Sequence, residues 1–141
     1  MPTARLQGKK ILIVDDDEDI LGSIDLAMRA EGATTTMVVD GNTAVSACRS
    51  GAPDAIVLDM MLPKRSGFLV LETIKQEPDP PVIVMITANQ GKRHMAYAES
   101  IGVDAYLVKP VPLQRLVETL VRLLQEAADG CGEEDDPEAQ S

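Results

Sequence analysis

Short apolar runs and amphipathic stretches alternate along this chain five times. Ile11–Val14, Ala55–Leu58 and Val82–Ile86 are continuous apolar runs of strand length, the pattern of parallel strands covered on both faces. Thr34–Val39 is β-branched but carries polar Thr34 and Thr36, and Ala105–Val108 is also mixed, as suits edge strands. Between them, apolar residues recur at helical spacing. The stripes are Ile20, Ile24, Ala27 and Met28; then Ala44, Val45, Ala47 and Cys48; then Phe68, Leu71 and Ile74. A short fourth helix opens at Gly91 and Lys92 and reaches Ile101, and a fifth carries Leu113, Leu116, Val117, Leu120, Val121 and Leu124. Gly32, Gly51 with Pro53, Pro78 with Pro80 and Pro81, and Gly102 supply the stops.

Strictly alternating strands and helices call for a parallel sheet with right-handed crossovers and helices on both faces. The expected fold is therefore α/β, a doubly wound (βα)5 domain. Placing the three fully apolar strands centrally gives the flavodoxin-like order 2-1-3-4-5, with its topological switch point between the first and third strands. That crevice receives what the strands carry at their carboxyl ends. The first strand ends in Asp15 and Asp16, the third in Asp59, the fourth in Thr87, Ala88 and Asn89, and the fifth in Lys109 and Pro110.

Length and charge narrow the picture. At 141 residues the chain suits one domain, expected over residues 8–125. The net charge of −10 is uneven: residues 1–125 hold sixteen acids against thirteen Lys and Arg, and the remaining seven acids lie in 126–141. That segment has no large apolar side chain to offset its ordering entropy, so it is expected to be a disordered acidic tail or a linker stub. No basic run with interleaved aromatics suggests direct nucleic-acid binding. No apolar stretch approaches the roughly 20 residues of a membrane span, so a cytoplasmic protein is expected. Cys48 and Cys131 have neither partners for a disulfide framework nor zinc-ligand spacing.

Three carboxylates in one crevice need a cation or protons to coexist. Oxygen ligands without His or Cys suit Mg2+, which retains waters and leaves room for a phosphoryl oxygen. A third acid beside such an ion can act as a nucleophile, and Lys109 with the Thr87 hydroxyl could neutralise a transferred phosphoryl group. Plainer readings exist for each residue alone. Asp59 could cap a loop, Asp17 and Asp19 could cap the first helix, Lys109 could form a structural ion pair, and Thr87 could bond to backbone.

The sequences VDDD after the first strand, VLDMMLP around the third, TA after the fourth and YLVKP after the fifth together resemble the receiver domains of bacterial two-component response regulators, including chemotaxis-regulator-like ones. The resemblance covers about residues 8 to 125. It implies that Asp59 is the phosphoacceptor of a histidine kinase or histidine phosphotransfer protein in a phosphorelay. It further implies that Mg2+ is bound by Asp16 directly, by Asp15 chiefly through water, by Asp59, and by the backbone carbonyl of Met61. Thr87, Ala88 and Lys109 would stabilise the phosphoryl group, Lys109–Pro110 would be a cis bond, and Thr87 with Tyr106 would form the switch pair. Phosphorylation would remodel the face of the fourth helix, fifth strand and fifth helix, which would engage a downstream protein or a second copy. Met61 and Asn89 occupy positions that tune phosphoryl lifetime in this family.

Two features depart from the commonest family pattern: the loop KRSG from Lys64 to Gly67, and Val111 after the Lys-Pro pair. His94, flanked by Lys92 and Arg93, is expected to be a solvated surface residue. The chain is read as a signalling phosphoacceptor and not as an enzyme beyond its own phosphoryl transfer and dephosphorylation. Two competing readings are a Mg2+-dependent phosphatase working through an aspartyl-phosphate, and a degenerate receiver that serves for docking. The first lacks an acid two residues beyond Asp59, where Met61 stands, and the second conflicts with the intact acid, hydroxyl and lysine set.

Overall fold

The computed structural model of the protein describes residues 4–62, 66–88 and 92–133. Ten elements alternate: β1 (Lys10–Val14), α1 (Glu18–Ala30), β2 (Thr34–Val38), α2 (Gly41–Gly51), β3 (Ala55–Asp59), α3 (Gly67–Lys75), β4 (Val82–Thr87), α4 (Lys92–Ile101), β5 (Ala105–Val108) and α5 (Leu113–Glu133). The five strands form one parallel sheet in the order β2-β1-β3-β4-β5. The α/β fold expected from the alternation is the one found.

Period-two alternation divides each central strand between two cores. Ile11 and Ile13 of β1, Val57 of β3 and Val84 and Ile86 of β4 face Leu21, Ile24 and Met28 of α1 and Leu116, Val117 and Leu120 of α5. Leu12 and Val14, Ile56 and Leu58, and Ile83 and Met85 instead meet Ala44 and Val45 of α2, Val70, Leu71 and Ile74 of α3, and Ala98 of α4. Every residue of β3 and β4 is buried, whereas β2 exposes Thr34, Thr36 and Met37 and all four residues of β5 are half-buried. The central and edge assignments follow from that difference.

Helix starts are specified by single polar side chains. Asp17 caps α1 by accepting from the Asp19 and Ile20 N–H groups at 3.0 and 3.2 Å, Asp40 caps α2 through Thr43, and Ser66 caps α3 through Leu69. Capping is thus the role of Asp17. Gly32, at φ +91°, turns the chain out of α1 in a conformation that side chains rarely adopt.

One boundary differs from expectation. The helix α5 runs to Glu133, so residues 126–133 extend it beyond 125 and do not begin a disordered tail. Composition missed this because Gln125-Glu126-Ala127-Ala128 are good helix formers, and extending a helix already anchored by packing costs far less than nucleating one. Residues 134–141 lie outside the described residues.

The burial pattern yields a direct stability contrast. Ile83→Ala, at a side chain with no exposure, should cost about 3 kcal/mol in urea unfolding with an unchanged m-value. Leu26→Ala, at a residue 69% exposed, should change stability by less than about 0.5 kcal/mol.

Candidate functional site

Four strands deliver polar side chains to the carboxyl edge of the sheet. Asp15 follows β1, Asp59 ends β3, Thr87 ends β4 and Lys109 follows β5. Asp15 is fully buried, Asp59 is 3% exposed, Thr87 is fully buried and Asp16 is exposed. The switch point between β1 and β3 holds the acids: carboxylate oxygens of Asp15, Asp16 and Asp59 all lie within 4.8 Å of one another.

Lys109 reconciles the two buried acids. Its Nζ is 3.1 Å from Asp15 Oδ2 and 3.4 Å from Asp59 Oδ1. The backbone holds this lysine in place, because Lys109 N–H donates to the Thr87 carbonyl at 2.7 Å. The Lys109–Pro110 bond is cis. Asp15 is fixed as well, accepting from the Asp17 N–H through Oδ1 at 2.8 Å, so that Oδ2 points into the pocket.

One positive charge does not balance three negative ones. Burial, reinforced by the Asp15 charge, raises the Asp59 carboxyl to about 6, against the opposing pull of Lys109 and the Met61 backbone N–H. Burial works against the Lys109 ammonium, but Asp59 and Asp15 outweigh it and leave its pKa above the ordinary lysine value. Asp15 Oδ2 is shielded from solvent and is met by the Lys109 ammonium, which it shares with Asp59. A cluster of oxygen donors with surplus negative charge and no His or Cys fits a hard divalent cation such as Mg2+.

Thr87 and Tyr106 lie within hydrogen-bond reach of each other. Burial raises the Tyr106 phenol above its usual value, and a hydrogen bond with Thr87 pulls it partly back. Met61 lies at the rim with its side chain 64% exposed, and Ala88 is exposed just beyond β4. Asn89 and the positions Lys64 and Arg65 lie outside the described residues.

His94 departs from expectation. It is half-buried, with its ring stacked on Phe68 at 5.9 Å, and Phe68 in turn meets Tyr97 edge-on at 5.1 Å. The charged neighbours Lys92 and Arg93 misled because they lie on the exposed face of α4, while His94 turns toward the start of α3.

Two residues of the site carried no functional signal in the sequence. Gly67 must be glycine: a Cβ there would stand 2.4 Å from the Asp59 carbonyl oxygen and 2.7 Å from Met60 Cα, while its N–H donates to the Met60 carbonyl at 2.8 Å. Met60, 2% exposed, places its sulfur against Thr87 and Tyr106. Its inward direction was readable, since Ile56, Leu58 and Met60 continue one face of β3.

The class follows from these features: a doubly wound (βα)5 domain with an acidic, lysine-bridged pocket at its switch point. The sequence model of the family described as "Response regulator receiver domain" matches residues 11–121, and the chain belongs to that family. It is 36% identical over 117 residues to the transcriptional regulatory protein PrrA of Mycobacterium tuberculosis, covering 82% of this chain and 50% of that protein. It is 34% identical over 109 residues to the DNA-binding response regulator MtrA of Mycobacterium tuberculosis, covering 77% of this chain and 47% of that protein. The chain thus spans about half the length of these curated relatives. Among solved structures, a CheY-like receiver domain protein from Methanospirillum hungatei superposes with a TM-score of 0.83 at 26% identity, covering 86% of this chain and 98% of that one. The Francisella response regulator 1452 receiver domain superposes with a TM-score of 0.79 at 26% identity, covering 86% and 99%. Among the described residues, no helix is long and apolar enough to cross a membrane.

Two outcomes follow from the site geometry. Because the folded Asp59 carboxyl is raised to about 6, the folded state binds a proton more readily than the unfolded chain, and stability from this group falls as pH rises through 6. Without divalent cations, Asp59→Asn should therefore stabilise the protein at pH 8, by at most about 3 kcal/mol. The gain should shrink toward pH 4 in paired thermal melts, and a pH-independent gain would contradict the assignment. Gly67→Ala should displace the backbone after Asp59 and lower stability by about 2 kcal/mol or more, measured by denaturant unfolding.

Proposed function

We propose that this protein is a phosphorylation-activated signalling switch in which Asp59 accepts a phosphoryl group from a histidine kinase or histidine phosphotransfer protein. The observation that carries the reading is the Lys109 ammonium, shared between Asp15 and Asp59 at 3.1 and 3.4 Å at the carboxyl edge of the sheet. A carboxylate destined to become an acyl phosphate needs a fixed cation beside it, because charge builds on the phosphoryl oxygens as the bond forms.

In the proposed step, a carboxylate oxygen of Asp59 attacks phosphorus, the phosphorus–nitrogen bond of the donor breaks, and the histidine imidazole leaves with the electron pair. Asp15, Asp16, Asp59 and the Met61 carbonyl would hold Mg2+, which supplies charge neutralisation to the attacking carboxylate and the transferring group. Lys109 is positioned to pair with one phosphoryl oxygen, and Thr87 with the Ala88 N–H to hydrogen-bond another. The nucleophile must be ionised, and a cation in the acidic cluster opposes the upward shift of Asp59.

Phosphorylation would draw the Thr87 hydroxyl toward the new group and Tyr106 with it, shifting the α4-β5-α5 face to control a downstream protein or self-association. Support comes from how weakly α4 is tied to the core: of its residues only Ala98 is buried. An element with so little buried surface changes position at small cost. The reading makes the chain a cytoplasmic phosphoacceptor with protein partners, without direct nucleic-acid or membrane contact by this domain.

The test is incubation with a small-molecule phosphodonor and Mg2+, followed by intact-mass measurement. A labile adduct should appear on the wild type, be absent from Asp59→Asn, and fall at least about tenfold in formation rate in Lys109→Ala. No adduct on the wild type would return the chain to a docking role, and sustained phosphomonoester turnover would indicate a phosphatase. Met61 stands two residues beyond Asp59 with an exposed, apolar side chain, so Met61→Asn should shorten the phosphoryl half-life by admitting and orienting water. Decay in the wild type as fast as in that variant would reject this role.

A further inference from the structure

The Met60 sulfur lies against both switch hydroxyls. It is 3.7 Å from Thr87 Oγ1 and 3.9 Å from the Tyr106 hydroxyl, within reach of an O–H donor to sulfur in both cases. The residue is 2% exposed and packs in the layer formed by Leu58, Met85 and Tyr106. Hydroxyls from β4 and β5 therefore converge on one thioether, and the residue that carries it directly follows Asp59.

The backbone that carries the sulfur is fixed on both sides of Met60. Met60 N–H donates to the Ile86 carbonyl at 3.0 Å, its carbonyl accepts from Gly67 N–H at 2.8 Å, and Gly67 leaves no free space against its backbone. Thioether sulfur is a weak, polarizable acceptor, able to hold a hydroxyl loosely without the commitment of a carbonyl. A leucine would fill nearly the same volume and accept nothing.

We propose that Met60 is a positioning residue whose sulfur holds the Thr87 hydroxyl and the Tyr106 ring in the arrangement described above. The Thr87 hydroxyl gives up this contact when it turns to a phosphoryl group on Asp59, a step that rests on the phosphoacceptor reading above. The strength of the sulfur contact then enters the balance between the two states directly, since a ligand moves such a balance only by its differential contacts. Met60 thus sets how readily the switch turns, without touching the phosphoryl group.

The test uses beryllium fluoride with Mg2+ as a phosphoryl stand-in, with affinity measured by calorimetry on wild type, Met60→Leu, Thr87→Val and the double variant. Met60→Leu should tighten binding about two- to threefold, the low end for loss of one weak competing hydrogen bond. In the Thr87→Val background the same substitution should have a clearly smaller effect, because only the Tyr106 contact is left to lose. Equal effects in both backgrounds, or weaker binding in Met60→Leu, would overturn the proposal. A second measurement needs no ligand: the Met60 methyl NMR resonance, assigned by its loss in Met60→Leu, should shift in both Thr87→Val and Tyr106→Phe. An unmoved methyl in both variants would also overturn it. Failure of the wild type to bind beryllium fluoride while the methyl shifts as expected would strike the phosphoacceptor reading and its release step, with the sulfur contact upheld.

Discussion

Much of this structure answers to the placement of like charges where water cannot reach them. Asp15 and Asp59 are buried at the ends of adjacent strands, and their repulsion is relieved by one ammonium, Lys109, at 3.1 and 3.4 Å. Removing the lysine would leave two buried acids uncompensated, whereas removing Asp59 would leave Lys109 matched to Asp15 alone. The arrangement is still short of positive charge, with one ammonium among three carboxylates, and burial together with the Asp15 charge raises the Asp59 carboxyl to about 6. A pocket that remains electrostatically unsatisfied is one that gains from a cation or from altered charge on its acids.

The remainder of the fold holds that tension in place. Parallel strands place their carboxyl ends on one edge, and complete burial of β3 and β4 between two helical layers prevents the backbone there from yielding. Gly67 closes the loop after Asp59 so tightly that no side chain fits. Rigidity is not uniform, however. On the side of β5 and α4 the burial is lighter: β5 is half-buried throughout, and α4 relies on Ala98 and on the ring cluster of Phe68, His94 and Tyr97, with Tyr97 hydrogen-bonded to Glu72. A stiff site beside a loosely held element is the condition under which a local charge change becomes a shift in a surface.

Between these regions lie Met60, Thr87 and Tyr106, one from each of three successive positions across the sheet, at β3, β4 and β5. Their contact is made of a weak sulfur acceptor and two hydroxyls, one fully buried and one half-buried. Strong hydrogen bonds at this point would oppose any rearrangement, whereas purely apolar packing would give the hydroxyls no preferred direction.

Hydropathy alone determined the sheet. Three uninterrupted apolar runs must be central because both of their faces need cover, two mixed runs can tolerate an edge, and alternation with helices forces parallel strands. Acids, hydroxyl and lysine at the strand ends were equally legible, because a charged or polar residue ending a buried strand has one place to go. What the sequence left open was decided by contacts between distant residues. Which acids Lys109 would meet could not be read along the chain, and the fold brings its ammonium to both Asp15 and Asp59. His94 looked solvated from its neighbours along the chain and is half-buried against Phe68, 26 positions away, because local charge does not report which face of a helix meets another element. The last helix outran its expected end for the same reason: packing against β4 and α1 anchors it, and composition carries no record of that anchor. Side-chain period and residue type are properties of short segments and survive in the sequence; meeting partners, such as the sulfur of Met60 with two hydroxyls, are set by the tertiary fold.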